Sequence, residues 1–149
     1  MARIERRTRL NAPVSEVFAY IADFRTLKDY NPSILQVRSL SDVPPAKGCR
    51  YEINLSMFGR KIRPVLTITN MIENELIVTR LDAFIPAIEN RRFQAAGDET
   101  DFLFTIEFSS GRPLIGPLVD TILIRLFTGR QADTEVRLLK KRFNITAEQ

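Results

Sequence analysis

The stretch Phe102-Leu103-Phe104-Thr105-Ile106-Glu107-Phe108, which reads FLFTIEF over residues 102–108, is the clearest strand signal in the chain. Large apolar side chains occupy every second position, which is the period expected of a strand that buries one face. The segment Ala96-Gly97-Asp98-Glu99 just before it predicts a hairpin loop, and residues 87–95 before that predict the partner strand. Consecutive hairpins of this kind indicate an antiparallel meander.

Further strands are predicted on the amino-terminal side of this hairpin. Residues 41–48 contain two prolines and a glycine and therefore predict a loop between two of them. Residues 3–10 predict a polar strand at the start of the chain, ended by Pro13. The remaining predicted strands are residues 34–40, 51–55, 62–68 and 75–81.

Helices are predicted after the first strand and after the last strand. Pro13 suits the first turn of a helix whose apolar residues share one face, and a second short helix is predicted from Asp23 toward Asp29. A long helix follows the last strand, and Pro117 requires it to begin within a turn of that residue. A helix of about 30 residues would be roughly 45 Å long, enough to cross a sheet. Its apolar stripe runs through Ile115, Val119, Ile122, Leu126, Gly129, Ala132, Val136, Leu139 and Phe143.

These elements predict one α+β domain over residues 1–149. The expected fold is a helix grip, in which a curved antiparallel sheet of six to seven strands wraps around the long C-terminal helix, with two short helices after the first strand. Gly129 and Ala132 in the middle of the helix stripe would leave volume between helix and sheet. Alternatively, they would let the helix approach the sheet more closely, or Gly129 would kink it.

Composition excludes several kinds of chemistry. The chain has no histidine and one cysteine, Cys49. A His/Cys zinc site, a histidine-based catalytic triad and haem ligation by histidine are therefore excluded, as is an internal disulfide. We predict no metal site and no cofactor, and we interpret Cys49 as a small buried hydrophobic residue at a strand start.

The charge pattern argues against a nucleic-acid partner. The net charge is only +4, and basic residues cluster only within residues 3–9 and 137–142. A nucleic-acid interface would need a denser basic stripe, whereas a weak affinity for RNA or for an anionic membrane surface stays open. The N-terminus does not resemble a signal peptide, and the apolar stretch 114–127 is too short to span a membrane. We expect a cytoplasmic protein, and the sequence leaves the oligomeric state open.

Four segments resemble a known family. Residues 12–24, APVSEVFAYIADF, with residues 29–33, DYNPS, resemble the start of the START-like (SRPBCC) helix-grip superfamily. Gly97-Asp98-Glu99-Thr100 and the closing Leu138-Leu139-Lys140 are similar to its hairpin and last helix. The resemblance points to the bacterial polyketide cyclase/dehydrase and lipid transport proteins, including coenzyme Q-binding-like members. It implies a deep apolar pocket between sheet and helix, although Tyr30 stands where a tryptophan is common.

Such a pocket needs apolar walls and a few polar groups. The periodicity of the strands and of the long helix predicts which residues form these walls. Any single one of them could instead be an ordinary core residue. They are Tyr51, Ile53, Leu55, Leu66, Ile68, Phe102, Phe104, Ile106, Ile122, Leu126 and Val136, with Gly129 beside them. The phenols of Tyr20, Tyr30 and Tyr51 could orient a carbonyl or act as weak acids, or else simply pack with the hydroxyl at the surface.

A charged pair is the other polar candidate. Glu89 and Arg91 share the parity of Phe93, so both enter the pocket if Phe93 points inward. If Phe93 points outward, Asn90 and Arg92 enter instead. The alternation does not distinguish the two cases, and a solvent-facing edge is the commoner arrangement.

Three functions remain. Binding or transport of a hydrophobic small molecule such as a lipid, quinone or polyketide ranks first, because it needs only the cavity. A polyketide cyclase/aromatase-like enzyme ranks second, since without histidine any catalysis must rest on tyrosines, carboxylates or arginines. A regulatory interaction module ranks third, with apolar loop tips at Met57-Phe58 and Phe84-Ile85-Pro86 that would gate the pocket or contact a partner.

Overall fold

The computed structural model describes residues 2–41, 43–57, 59–83, 86–108 and 117–147, and in the last range the side chains of 126 and 128–144. Within these ranges the chain forms eight strands and three helices. The strands are β1 (Ala2–Leu10), β2 (Ile34–Ser39), β3 (Arg50–Met57), β4 (Arg60–Ile62), β5 (Val65–Ile72), β6 (Leu76–Asp82), β7 (Ala87–Ala96) and β8 (Glu99–Phe108). The helices are α1 (Val14–Ala22), α2 (Leu27–Tyr30) and α3 (Pro117–Ala147), with a 3₁₀ turn at Phe24–Thr26.

All strand pairings are antiparallel, and the sheet is curled into a half-barrel. The path through it is β1-β8-β7-β6-β5-β3-β2, with β4 paired to β3 off this path. The predicted helix-grip class is confirmed, with its curved antiparallel sheet, its two short helical segments after β1 and its long C-terminal helix.

The single strand predicted over residues 62–68 is wrong, because the chain breaks at Arg63-Pro64 into β4 and β5. Proline has no amide hydrogen to donate to a ladder, so a strand interrupts or ends there. The Pro64 carbonyl still accepts a hydrogen bond of 2.9 Å from the Ile53 amide. The break lets β3 pair with β4 through its last residues and with β5 through its first.

The hairpin between β7 and β8 turns at Gly97, whose φ of +64° lies in the left-handed region that favours glycine. The tight turn holds β7 and β8 in register from Ala96 opposite Glu99 to Ala87 opposite Phe108. The hairpin loop predicted at residues 96–99 is thereby confirmed.

Helix α3 begins at Pro117, as the proline required, and packs against β1 and α2. Its described inner face carries the buried Ala132, Leu139 and Phe143. Arg6 of β1 donates a hydrogen bond from Nε to Oδ1 of Asp133, which ties the helix to this edge strand. Cys49 is buried immediately before β3, as predicted, with its Sγ 3.6 Å from the carbonyl oxygen of Pro44.

Candidate functional site

Strand register places two charged residues on the concave face of the sheet. Arg91 of β7 lies opposite Ile77 of β6 and Phe104 of β8. Glu89 lies in the next inward row, opposite Thr79 and Ile106. Phe93 is buried, so the parity that the sequence left open is settled: Glu89 and Arg91 face the interior, and the commoner solvent-facing arrangement does not apply.

Arg91 is the most deeply buried charged residue on this face, with 1% of its surface exposed. Its Nη1 donates to Glu89 Oε2 at 2.9 Å, and its guanidinium carbon lies 4.9 Å from the centre of the Phe104 ring. Burial works against the charge of Arg91, but the carboxylates of Glu89 and Glu135 outweigh it and raise its pKa above the ordinary value. The guanidinium is therefore held charged and already paired.

A second carboxyl group reaches the same interior from α3. Glu135 is buried, and its Oε1 accepts a hydrogen bond of 2.7 Å from Nδ2 of Asn31, the residue that follows α2. Burial raises the pKa of Glu135 to about 7, with Arg91 pulling it down and Glu89 pushing it up. A carboxyl group with this pKa exchanges its proton near neutral pH, which is the property required of a general acid or base.

Three polar atoms around these charges are buried without a hydrogen-bond partner. They are Tyr30 Oη, Thr79 Oγ1 and Gln131 Nε2. Thr79 lies directly opposite Glu89 on the neighbouring strand, and Gln131 lies one helical turn before Glu135. We call the set of Tyr30, Asn31, Thr79, Glu89, Arg91, Gln131 and Glu135 the interior polar cluster.

Tyr30 connects the two halves of the cluster. It is completely buried at the end of α2, and its environment includes the charges of Arg91, Glu135 and Glu89. Burial is the main reason that the pKa of its phenol lies well above the ordinary value. Tyr30 is thus a neutral hydroxyl group at any physiological pH, able to donate one hydrogen bond and accept others.

Most of the residues nominated as pocket walls are buried. Apolar residues on the concave face surround the polar cluster on the sheet side, and Val136 is half-buried on α3. The buried ones are Tyr51, Ile53, Leu55, Leu66, Ile68, Phe102, Phe104 and Ile106.

Two nominated helix positions, Leu126 and Gly129, do not line the cluster. The side chain of Leu126 is 56% exposed. Each three-residue step falls about 60° short of a full turn, so the two such steps between Leu126 and Ala132 place Leu126 off the buried face. Gly129 faces β1, where a Cβ would lie 3.5 Å from Nη2 of Arg6. The side chain of Ile122, like residue Ile115, lies outside the described part of the chain.

The hydroxyl groups of the other two tyrosines bond or point elsewhere, although the Tyr20 ring packs 6.1 Å from the Tyr30 ring of the cluster. The Tyr20 hydroxyl donates to Asp29 at 3.4 Å, and the Tyr20 ring lies under the guanidinium of Arg142 at 4.0 Å. Tyr51 packs against Phe24 and lines a separate surface groove of about 650 Å³ between α1 and the β2–β3 loop. That groove opens to solvent and contains none of the cluster residues, so we do not take it as the site.

Sequence reasoning missed four cluster members, namely Asn31, Thr79, Gln131 and Glu135. A signal existed for Glu135, because it stands three residues after Ala132 and four before Leu139 and so interrupts the apolar face of α3 with a charge. Thr79 shares parity with the buried Ile77, but threonine is common in strands and attracts no notice there.

The structure describes only part of the two apolar loop tips that were predicted to gate the pocket. Met57 is half-buried at the end of β3 and Pro86 is exposed before β7, whereas Phe58, Phe84 and Ile85 lie outside the described residues. No helix in the described ranges is long and apolar enough to cross a membrane. Nor do the described residues contain a group of three or more cysteine or carboxylate side chains placed to hold a metal ion.

Comparison with known proteins agrees with this architecture. The family described as polyketide cyclase/dehydrase and lipid transport matches residues 1–144. The chain is similar to the Zhui aromatase/cyclase from Streptomyces sp. R1128, with 13% identity and a TM-score of 0.83 over 96% of this chain and 93% of that one. It is also similar to a START superfamily protein from Mycobacterium smegmatis, with 16% identity and a TM-score of 0.77 over 97% and 98%.

Half of a two-domain protein gives a further match. The di-domain aromatase/cyclase StfQ of the steffimycin biosynthetic pathway aligns with 11% identity and a TM-score of 0.74, covering 99% of this chain and 52% of that one. No curated protein matches the chain by sequence. At these identities the structural likeness establishes the fold.

Proposed function

The chain belongs to the polyketide cyclase/dehydrase and lipid transport family, and from this membership we propose that it binds a hydrophobic small molecule between α3 and the concave face of the sheet. The apolar part of the ligand contacts the inward side chains of β3, β5 and β8. Its polar end lies against the interior polar cluster.

The observation that carries this proposal is the set of unpartnered buried atoms on Tyr30, Thr79 and Gln131. Each buried polar group without a partner costs about 1–3 kcal/mol, and native proteins seldom leave several together. A ligand that offers hydrogen-bonding atoms at this place removes the cost. Tyr30 lies among the charges of the cluster, Thr79 lies opposite Glu89, and Gln131 stands one helical turn from Glu135. Unpartnered polar groups from three elements at one place are typical of a binding site.

The first experiment asks whether the purified protein carries a ligand and where. Native mass spectrometry before and after organic extraction should show loss of a bound mass, and adding the extract back should raise the melting temperature. Thr79→Val removes one cluster hydroxyl, and we expect it to weaken rebinding about tenfold. Ala19→Leu, which changes the lining of the separate groove, is the matched control and should rebind normally.

Two results would contradict the proposal. The first is rebinding that is lost in Ala19→Leu but normal in Thr79→Val, which would place the ligand in the groove. The second is the absence of both a bound mass and any thermal stabilisation by the host extract.

A second candidate function is favoured by Glu135. Aromatase/cyclase chemistry on a poly-β-ketone requires proton transfer during aldol condensation and dehydration, and a buried carboxyl group with a pKa of about 7 suits that role. Tyr30 and Gln131 would hydrogen-bond a ketone oxygen as charge develops on it.

This candidate is tested with a short poly-β-ketone thioester. Liquid chromatography and mass spectrometry should show a cyclised, dehydrated product forming faster with the protein than spontaneously. The rate should follow the ionisation of a group near pH 7, and Glu135→Gln should lower it at least a hundredfold. A rate equal to the spontaneous one would exclude the enzymatic role for this substrate class.

A further inference from the structure

The charges of the interior polar cluster do not balance. Two carboxyl groups, Glu89 and Glu135, accompany one cation, Arg91, and Asn31 and Tyr30 contribute no charge. Among the described residues, Arg91 and Glu89 are the charged groups that shift the pKa of Glu135. The cluster is therefore neutral when Glu135 is protonated and carries one net negative charge when it is ionised.

The positive charge of Arg91 is already paired with a carboxylate. Its Nη1 is bound to Glu89, its guanidinium carbon lies over the Phe104 ring, and only 1% of its surface is exposed. A carboxylate or phosphate ligand beside Arg91 would add negative charge to that of Glu89 and Glu135, and one buried cation cannot balance all of them.

The unpartnered atoms favour an oxygen acceptor. The Gln131 amide nitrogen can only donate, and the hydroxyls of Tyr30 and Thr79 can each donate one hydrogen bond. A ketone, quinone or ester oxygen has two lone pairs and carries no charge, so it satisfies these donors without adding to the negative charge of Glu89 and Glu135.

Resting on the proposed function, we infer that the polar end of the ligand is a neutral carbonyl group and that the site rejects carboxylates of the same size and shape. The rejection arises from the surplus carboxyl group on α3. Replacing Glu135 by a neutral residue of the same shape should therefore let carboxylate ligands bind more tightly.

A pair of matched probes tests this inference. Undecyl methyl ketone and dodecanoate share one alkyl chain and differ only in a methyl group replaced by a charged oxygen. Isothermal titration of the extracted protein at pH 8 should show the ketone binding at least tenfold more tightly than dodecanoate. Dodecylamine serves as a third probe, and we expect it to bind more weakly than the ketone because it offers no acceptor to Gln131.

Glu135→Gln should narrow the ratio between ketone and dodecanoate to within about threefold, since it removes one negative charge while keeping an oxygen acceptor for Asn31. Asp133→Asn on the exposed side of α3 is the matched control and should keep the wild-type ratio. Equal affinity for ketone and dodecanoate, or tighter binding of the amine, would overturn the inference while leaving the proposed binding function in place. If none of the three probes binds and no host molecule is extracted, the proposed function itself fails.

Discussion

Tyr30 carries a hydroxyl group that burial has removed from water and that has no hydrogen-bond partner among the described residues. In the ligand-free protein this group destabilises the fold, so Tyr30→Phe should raise the free energy of unfolding by about 1 kcal/mol. The same substitution should weaken ligand binding about tenfold, because it removes a donor from the site. Urea denaturation and ligand titration on one preparation measure both effects.

The matched control for this substitution is Tyr20→Phe. Its hydroxyl bonds to Asp29 near the surface, so its loss should change neither quantity by more than a few tenths of a kcal/mol. A marked fall in stability of Tyr30→Phe would mean that the hydroxyl has a partner, and it would remove one support of the binding site.

Glu135 should make the stability of the protein depend on pH. The carboxyl titrates near 4.5 when unfolded and at about 7 when folded, so the folded state holds its proton over a range in which the unfolded state has lost it. Stability from this group is therefore fully present below about pH 4.5 and is lost as the pH rises to about 7, by roughly 3 kcal/mol. Denaturation series at several pH values should show this decline in the wild type and a flatter profile in Glu135→Gln.

At the scale of the elements, two glycines should respond oppositely to alanine. Gly97 has a φ of +64° in the β7–β8 turn, so Gly97→Ala should cost about 1 kcal/mol through backbone strain alone, as no neighbour lies near the new Cβ.

Gly129 lies within α3, and a Cβ there meets Arg6 only at an ordinary contact distance of 3.5 Å. Gly129→Ala should therefore stabilise by up to about 1 kcal/mol through helix propensity. If Gly129→Ala instead destabilises, the helix packs more tightly on β1 than the structure indicates.

The elements were also what the sequence predicted best. The alternation in residues 102–108 and the placement of Pro117 depend only on local geometry, which is why β8 and the start of α3 could be anticipated. The cluster could be anticipated only in part: Tyr30, Glu89 and Arg91 were candidates, but the other members were missed because parity assigns apolar residues to the interior and treats polar ones as interruptions. Glu135 and Thr79 face inward because the strands and helix around them do, and that is a property of tertiary packing.

Over the whole molecule, the strands of the sheet differ in how many backbone hydrogen bonds they make with their neighbours. β8 is hydrogen-bonded to β1 on one side and to β7 on the other along nearly its full length, whereas β2 pairs with β3 alone among the described strands. Native-state hydrogen exchange should accordingly find the slowest amides in β8 and much faster ones in β2 and β4. Uniform protection across all eight strands would show that the sheet opens only as one unit.

Cys49 is the last residue of the β2–β3 loop, and its thiol is buried against the carbonyl oxygen of Pro44, so its reactivity reports when this loop opens. Because it is the only thiol in the sequence, a disulfide reagent such as dithionitrobenzoate can modify a single place, and only while the loop is displaced. When reclosing is fast, the observed labelling rate divided by that of an exposed thiol equals the opening equilibrium constant. Slower labelling in the presence of ligand would mean that ligand binding between α3 and the sheet also stabilises the closed form of the β2–β3 loop.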